Sequence, residues 1–405
     1  MNRGERSLGI RYAALQTGYW MEYLIIFGFA AVFLMGRGFS ASEIGYVTTV
    51  GTVLTILLQM ALATLADRSQ RITLKHILAA LIIGCLAAAT AMLLVPKSHI
   101  VTFVGMFTAL SLTNAFSPLI TSLCLKYNAS GHHINFGVAR GLGSLGFALA
   151  SLAMGWLTEK LGSEIVLPLY CAIYALMLAV LLSMPRPAAA PEAAKSDAQT
   201  GKPTGLLQFF RRYRRYDVFL ISVMLIFYLQ MSLGTYMIYF VRSYGGGEAE
   251  MGTALFVAAF AEMPAVALGL TLLRRVTAQK LLCISALAGF VKSLTMLFIP
   301  NIGCFIGLQV IQFFFSGLYM VAAVYFADSI VAAADAVKAQ AILAVGLTGV
   351  TGTASNIIGG YMLERLSVRS INLLGLILGL VGAALMFVAT SPRFFKNEPD
   401  WRRLD

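Results

Sequence analysis

The sequence predicts an all-α membrane protein: twelve transmembrane helices in two pseudo-symmetric six-helix bundles. Three observations predict it. First, 59% of the 405 residues are hydrophobic and only 12% are charged, whereas soluble domains carry about 25% charged residues. Second, the apolar residues fall into long blocks, each sufficient to cross ~30 Å of hydrocarbon. Third, a single polar stretch separates the blocks into two groups of six.

The blocks run roughly over 11–35, 43–66, 72–95, 99–126, 134–158, 164–184, 217–241, 250–273, 279–299, 302–328, 337–363 and 368–390. Each is read as a helix, because a spanning segment must pair all its backbone groups internally. Between the sixth and seventh lies RPAAAPEAAKSDAQTGKPTG (Arg186 to Gly205), whose Ala, Pro and polar residues read as a disordered linker. The organisation is then an N-terminal bundle (1–184), a cytoplasmic linker (185–216), a C-terminal bundle (217–390) and a cytoplasmic tail (391–405).

Orientation follows from Lys and Arg. With the N-terminus in the cytoplasm, 23 of the 30 basic residues fall on that side and six in the outer loops, with Lys292 inside the ninth helix. Both termini are therefore expected in the cytoplasm, and the chain in the cell (plasma or inner) membrane. The net charge of +12 is mostly this asymmetry, so no nucleic-acid partner is called for. RRYRRYD (Arg211 to Asp217) reads as an anchor before the seventh helix. MNRGERSLGIRYAAL lacks the apolar core and cleavage site of a secretory signal and is expected to be retained. The five cysteines form no CxxC pair, which argues against a disulfide framework or zinc site. The chain has no HExxH, phosphate-binding loop or GxSxG. An enzyme is not expected, nor an ATP-driven pump, a cofactor or a metal.

The halves also resemble each other. GWLTEKLG (Gly155 to Gly162) ends helix five and GYMLERLS (Gly360 to Ser367) ends helix eleven, an offset of 205. Parallel repeats of six helices build one large transporter class, with its solute site between halves near the midplane.

LADRSQRITL (Leu65 to Leu74) resembles the signature loop of the major facilitator superfamily. Asp67, Arg68 and Arg71 match; Ala63, Gln70 and Ile72 depart from the pattern. The resemblance implies a gating loop that pairs its charges with neighbouring helix ends on the cytoplasmic side. The equivalent loop of the second half, LLRRVTAQKLL, keeps the basic residues but has no Asp. Helix five, NFGVARGLGSLGFALASL (Asn135 to Leu152), is similar to that of the lactose permease and the oligosaccharide and nucleoside proton symporters. That likeness implies a sugar-binding role for Arg140, a small site-lining residue at Ser144 and a stacking ring at Phe147. Lys292 falls where those permeases carry a basic residue, and AEMPAV resembles a Glu-x-Pro pattern of the broader group. The departures are Thr121 and Ser122 in place of a carboxylate on helix four, and Gln312 and Phe315 near a missing histidine–carboxylate pair. Lactose transport and its particular proton relay are therefore not implied.

Four charged side chains lie within helices: Glu22, Arg140, Glu262 and Lys292. Each costs about 2.5–3.5 kcal/mol at mid-bilayer, so they must pair or face a wet cavity. Glu262 precedes Arg274, and Lys292 follows Lys280, by 12 residues each. That places both about 18 Å from the same surface, at a depth where they can pair. Glu22 lies at about 16 Å by the same reckoning. Glu262 is the first candidate for proton coupling and Glu22 the second. The plainer readings are a structural Glu262–Lys292 pair, an Arg140 anchor, and a permanently protonated, hydrogen-bonded Glu22. Candidate solute ligands are Arg140, Lys292, Ser144, Phe147, Gln312, Tyr23, Asn114 and Gln230.

The expected function is secondary active transport by alternating access, with proton-coupled symport of a small polar organic solute: a sugar, nucleoside or aromatic acid. The partners are that solute, protons and membrane lipid, and the unit is a monomer. The rivals are a proton-coupled exporter of drugs or metabolites and, in another class, a non-transporting membrane sensor or assembly factor.

Overall fold

The computed structural model describes residues 3–68, 73–185 and 205–395, and among them every regular element is helical. In chain order these are α1 (Arg3–Tyr23), α2 (Ala30–Gly36), α3 (Ala41–Arg68), α4 (Leu74–Leu94), α5 (His99–Ala129), α6 (Phe136–Leu161), α7 (Val166–Ser183), α8 (Leu206–Arg212), α9 (Arg214–Ser243), α10 (Glu248–Ala267), α11 (Gly269–Arg275), α12 (Ala278–Met296), α13 (Ile302–Leu308), α14 (Ser316–Ser329), α15 (Ala336–Ala344), α16 (Gly352–Arg365) and α17 (Val368–Thr390).

Among the described residues, ten helical stretches are long and apolar enough to cross a membrane on their own. The bent pair α1–α2 makes an eleventh. The ninth block forms the 19-residue α12, whose Lys280 and Lys292 lower its hydropathy. The set is consistent with twelve spans. Within 185–216, α8 is already helical and α9 begins at Arg214; the expected disordered stretch 186–204 lies outside the described residues.

The chain forms two compact units. Unit 1 comprises Met1–Ala194 with Gly234–Ile238 and Gly246–Phe256, and unit 2 the remainder. In unit 1, α1 lies along α6 and α7, and α5 packs on α3 and α4. Arg37, just past α2, ties the ends of four elements. It donates to both Glu164 carboxylate oxygens (2.9 and 2.7 Å), to Met92 O (3.1 Å) and to Thr102 Oγ1 (3.0 Å). Five guanidinium N–H donors in a fixed fork suit such a convergence.

In unit 2, α12 packs against α14 and α17. An aromatic cluster of Phe209, Tyr213, Tyr216, Phe219 and Phe326 fills the core where α8 meets α9. The Tyr213 hydroxyl donates to Asp335 Oδ2 (2.9 Å) and accepts from the Ala332 amide (3.3 Å). Lys338 pairs with the other Asp335 oxygen at 3.3 Å, so a buried acid is satisfied from two sides.

Several spans are broken where the site candidates lie. α1 passes into a π-helical turn, Leu24–Gly28, and bends by 46° to α2. α10 carries Pro264 and gives way to α11 at Leu268 (φ −86, ψ 1). A 3-10 turn, Gln309–Phe313, separates α13 from α14. A π-helical stretch, Val345–Thr351, separates α15 from α16. Such interruptions free backbone groups and are tolerated in spanning helices only where neighbours re-satisfy them.

Candidate functional site

In unit 1 the site grows from α1 and α6. The Arg140 guanidinium lies over the Trp20 ring, 3.8 Å from its centroid, and donates to Ser144 Oγ at 2.6 Å. Residues four apart share a helix face, so α6 presents Arg140 and Ser144 together. Phe147, one turn further, is half-buried. Trp20 approaches because α6 has no side chain at Gly143: a Cβ there would meet Trp20 Cδ1 at 2.5 Å. Tyr23 joins through Trp20 at a 5.6 Å ring separation and stacks on Phe27 at 4.5 Å. Trp20 Nε1 is buried without a hydrogen-bond partner. A buried donor of this kind calls for a ligand or other partner. Asn114 lies on α5, where its backbone carbonyl accepts from Gln59 at 3.2 Å.

Glu22 takes a different place from Arg140. Two residues after Trp20, it is rotated about 200° around α1. It is fully buried with both carboxyl oxygens unpartnered. Its electrostatic neighbours are Cys85, Cys171, Tyr170 and Tyr174. The two phenols meet Thr113 Oγ1 at 2.8 and 2.9 Å. Glu22 thus faces the interior of unit 1, among α4, α5 and α7.

In unit 2 the site grows from α9, α10, α12 and the break before α14. Ser316 donates to Glu262 Oε2 at 2.7 Å. The two meet because α10 and α14 cross tightly at Gly317, where a Cβ would lie 2.6 Å from that of Ala265. Lys292 is 2% exposed and donates to Gln230 Oε1 at 3.0 Å. Glu262 is near enough for its charge to act on Lys292. Gln230 is thus the hydrogen-bond partner of the Lys292 ammonium. Gln312 is buried, its Oε1 unpartnered, and its carbonyl accepts from Ser316 Oγ at 3.3 Å.

The structure thus groups Arg140, Ser144 and Tyr23 in unit 1, and Glu262, Lys292, Gln230 and Gln312 in unit 2. Of the gating loop, the backbone of Asp67 and Arg68 closes α3. Their side chains, and all of Arg71, lie outside the described residues. Trp20 and Ser316 are the functional candidates that sequence reasoning missed. Trp20 had a signal, being an aromatic three residues before Tyr23 on the same helix; Ser316 had none, since a serine within an apolar helix is ordinary.

Residues 20–373 match the MFS_1 like family of major facilitator transporters. The chain belongs to this family. The maltose permease of Geobacillus stearothermophilus is 27% identical, over 93% of this chain and 95% of its own length. An uncharacterized transporter of Bacillus subtilis, YwbF, is 22% identical over 92% of each. Among solved structures, the nucleoside transporter NupG superposes with a TM-score of 0.76 at 17% identity, covering 98% of this chain and 100% of that one. A bacterial homologue of the human lysosomal transporter Spinster reaches 0.73 at 15% identity, over 98% and 99%. These structures share the fold. The chain is a multi-pass membrane transporter for small-molecule solutes and not an enzyme.

Proposed function

We propose that this family member is a proton-coupled symporter of a small polar organic solute, a sugar or nucleoside before an aromatic acid, working by alternating access. The observation that carries the reading is the Trp20–Arg140–Ser144 group. A planar ring offers a stacking face, the guanidinium offers fixed donors, and the indole N–H has no partner of its own. Polyhydroxylated rings and nucleosides suit a few convergent polar groups beside an aromatic wall. The likeness to a maltose permease supports the same substrate class.

The Glu262–Ser316 and Lys292–Gln230 pairs support proton coupling. A solute oxygen that accepts from Lys292 in place of Gln230 would move the ammonium relative to Glu262 and so alter the acid's proton affinity, which links proton and solute occupancy, and linkage is reciprocal. Asp67, Arg68 and Arg71 fit a cytoplasmic gate. Cytoplasmic termini, a plasma or inner membrane location and a monomeric unit complete the reading; the basic asymmetry of the loops supports the orientation.

The test is uptake into proteoliposomes across sugars, nucleosides and aromatic acids, with and without an imposed pH gradient. Accumulation of one class, dependent on the gradient, is expected. Equal accumulation without the gradient, with no other driving ion present, would overturn proton coupling.

A further inference from the structure

The second-half counterpart of the gating loop has basic residues and no acid to pair with them, and the structure places a cavity at that point. Gly269 opens α11 and packs hard on α14: a Cβ there would lie 2.7 Å from Val321 Cγ2. Next to this crossing, Leu270, Leu273 and Arg274 of α11, Tyr325 and Ser329 of α14, and Ala278 and Gln279 at the start of α12 line an open wedge of about 420 Å³.

The lining is divided in character. Leu270 is 64% exposed and Tyr325 46%. Large apolar side chains exposed on membrane-crossing helices meet acyl chains. The rest of the lining supplies donors: the exposed Arg274 guanidinium, the half-buried Gln279 amide and the Tyr325 phenol. Ser329 Oγ donates to Phe326 O at 2.7 Å, so its lone pairs remain available as acceptors. The neighbouring acid, Asp328, is held by the Gln340 amide at 2.8 Å. Arg275 and Lys280 add positive charge on either side in sequence. A cationic wall, a spare hydroxyl acceptor and an apolar mouth together match one kind of molecule.

We propose that the wedge between α11 and α14 holds the head of an anionic glycerophospholipid bearing free hydroxyls, such as phosphatidylglycerol. Arg274, Gln279 and Tyr325 bind the phosphodiester, Ser329 accepts from a head-group hydroxyl, and the acyl chains run over Leu270. The lipid supplies the negative charge that this loop lacks. With the orientation proposed above, the site lies in the cytoplasmic leaflet, where anionic lipid attracts basic segments.

The experiment is native mass spectrometry of the full-length protein, delipidated in detergent and titrated with phosphatidylglycerol or zwitterionic phosphatidylcholine. One phosphatidylglycerol is expected to bind in preference to phosphatidylcholine. Arg274→Gln should weaken that binding roughly fivefold, the effect of one basic residue at an anionic surface. Arg274→Lys, which keeps the charge, should retain most of it and excludes misfolding as the cause. A matched Lys97→Gln variant, in the exposed loop before α5 on the opposite side by the orientation proposed above, should bind as wild type. Inorganic phosphate at millimolar concentration should not displace the lipid. Equal binding of the two lipids, unchanged affinity in Arg274→Gln, or displacement by free phosphate would each overturn the proposal, the last by making the wedge a soluble-anion site. None of these readouts depends on which solute is transported.

Discussion

Substituting Gly143 by Ala isolates the solute group without touching any of its polar atoms. The new Cβ would lie 2.5 Å from Trp20 Cδ1 and 3.3 Å from Gln16 O. Carbon atoms prefer about 3.5–4.0 Å, so the indole must retreat by about 1 Å. Overpacking of this kind costs about 1–3 kcal/mol of stability. The larger consequence is for Arg140, whose guanidinium rests 3.8 Å from the indole centroid. A half-buried contact of this type is worth about 1 kcal/mol, equivalent to roughly a fivefold change in an equilibrium constant. Isothermal titration of the transported solute into purified protein should show affinity falling by about fivefold in Gly143→Ala. Thermal unfolding should fall only modestly. Wild-type affinity in both Gly143→Ala and Trp20→Leu would refute the assignment of this group to solute binding.

Glu22→Gln replaces a buried side chain whose two oxygens have no partner with an uncharged isostere. Stability within about 1 kcal/mol of wild type and retained gradient-driven accumulation are expected by thermal scanning and uptake; loss of accumulation with intact exchange would make Glu22 the coupling acid. Burial pushes the Tyr213 phenol up from 10.0 to about 12. The folded state then keeps the proton between those values while the unfolded state loses it. Stability is full below pH 10 and declines as pH rises toward 12, by at most roughly 2.7 kcal/mol from this group. Tyr213→Phe should lower stability at neutral pH by about 1–3 kcal/mol, because Asp335 loses a donor, and should flatten the alkaline decline in unfolding temperature. An unchanged alkaline slope would remove Tyr213 from that account.

The spans were legible because length and apolarity are local properties: most blocks coincide with a helical stretch, although α1 begins at Arg3 rather than 11 and the blocks at 250–273, 302–328 and 337–363 each hold two helices. The breaks were not. Nothing in QVIQF marks a 3-10 turn, and the π-helical geometry of VGLTGVT depends on how that segment packs, including Gly346 against Leu220. Pro264 lies within α10, and the break falls four residues later, at Leu268. Depth counting brought Glu262 and Lys292 to one level, but depth carries no azimuth. It could not show that Lys292 turns its hydrogen bond to Gln230, that Ser316 reaches Glu262, or that Glu22 faces away from Trp20 and into unit 1. Arg140 and Ser144 were legible through the likeness of helix five to the permeases, and their four-residue spacing then puts them on one helix face. Their aromatic partner comes from another helix and needed the fold.

The central claim is that a proton on Glu262 drives solute accumulation. Its most direct test is the Glu262→Gln variant in proteoliposomes, measured for accumulation under an imposed pH gradient and for solute exchange at equal concentrations on both sides. Accumulation should be lost while exchange continues. Undiminished accumulation in Glu262→Gln would contradict it, leaving the Glu262–Ser316 contact as a brace between α10 and α14.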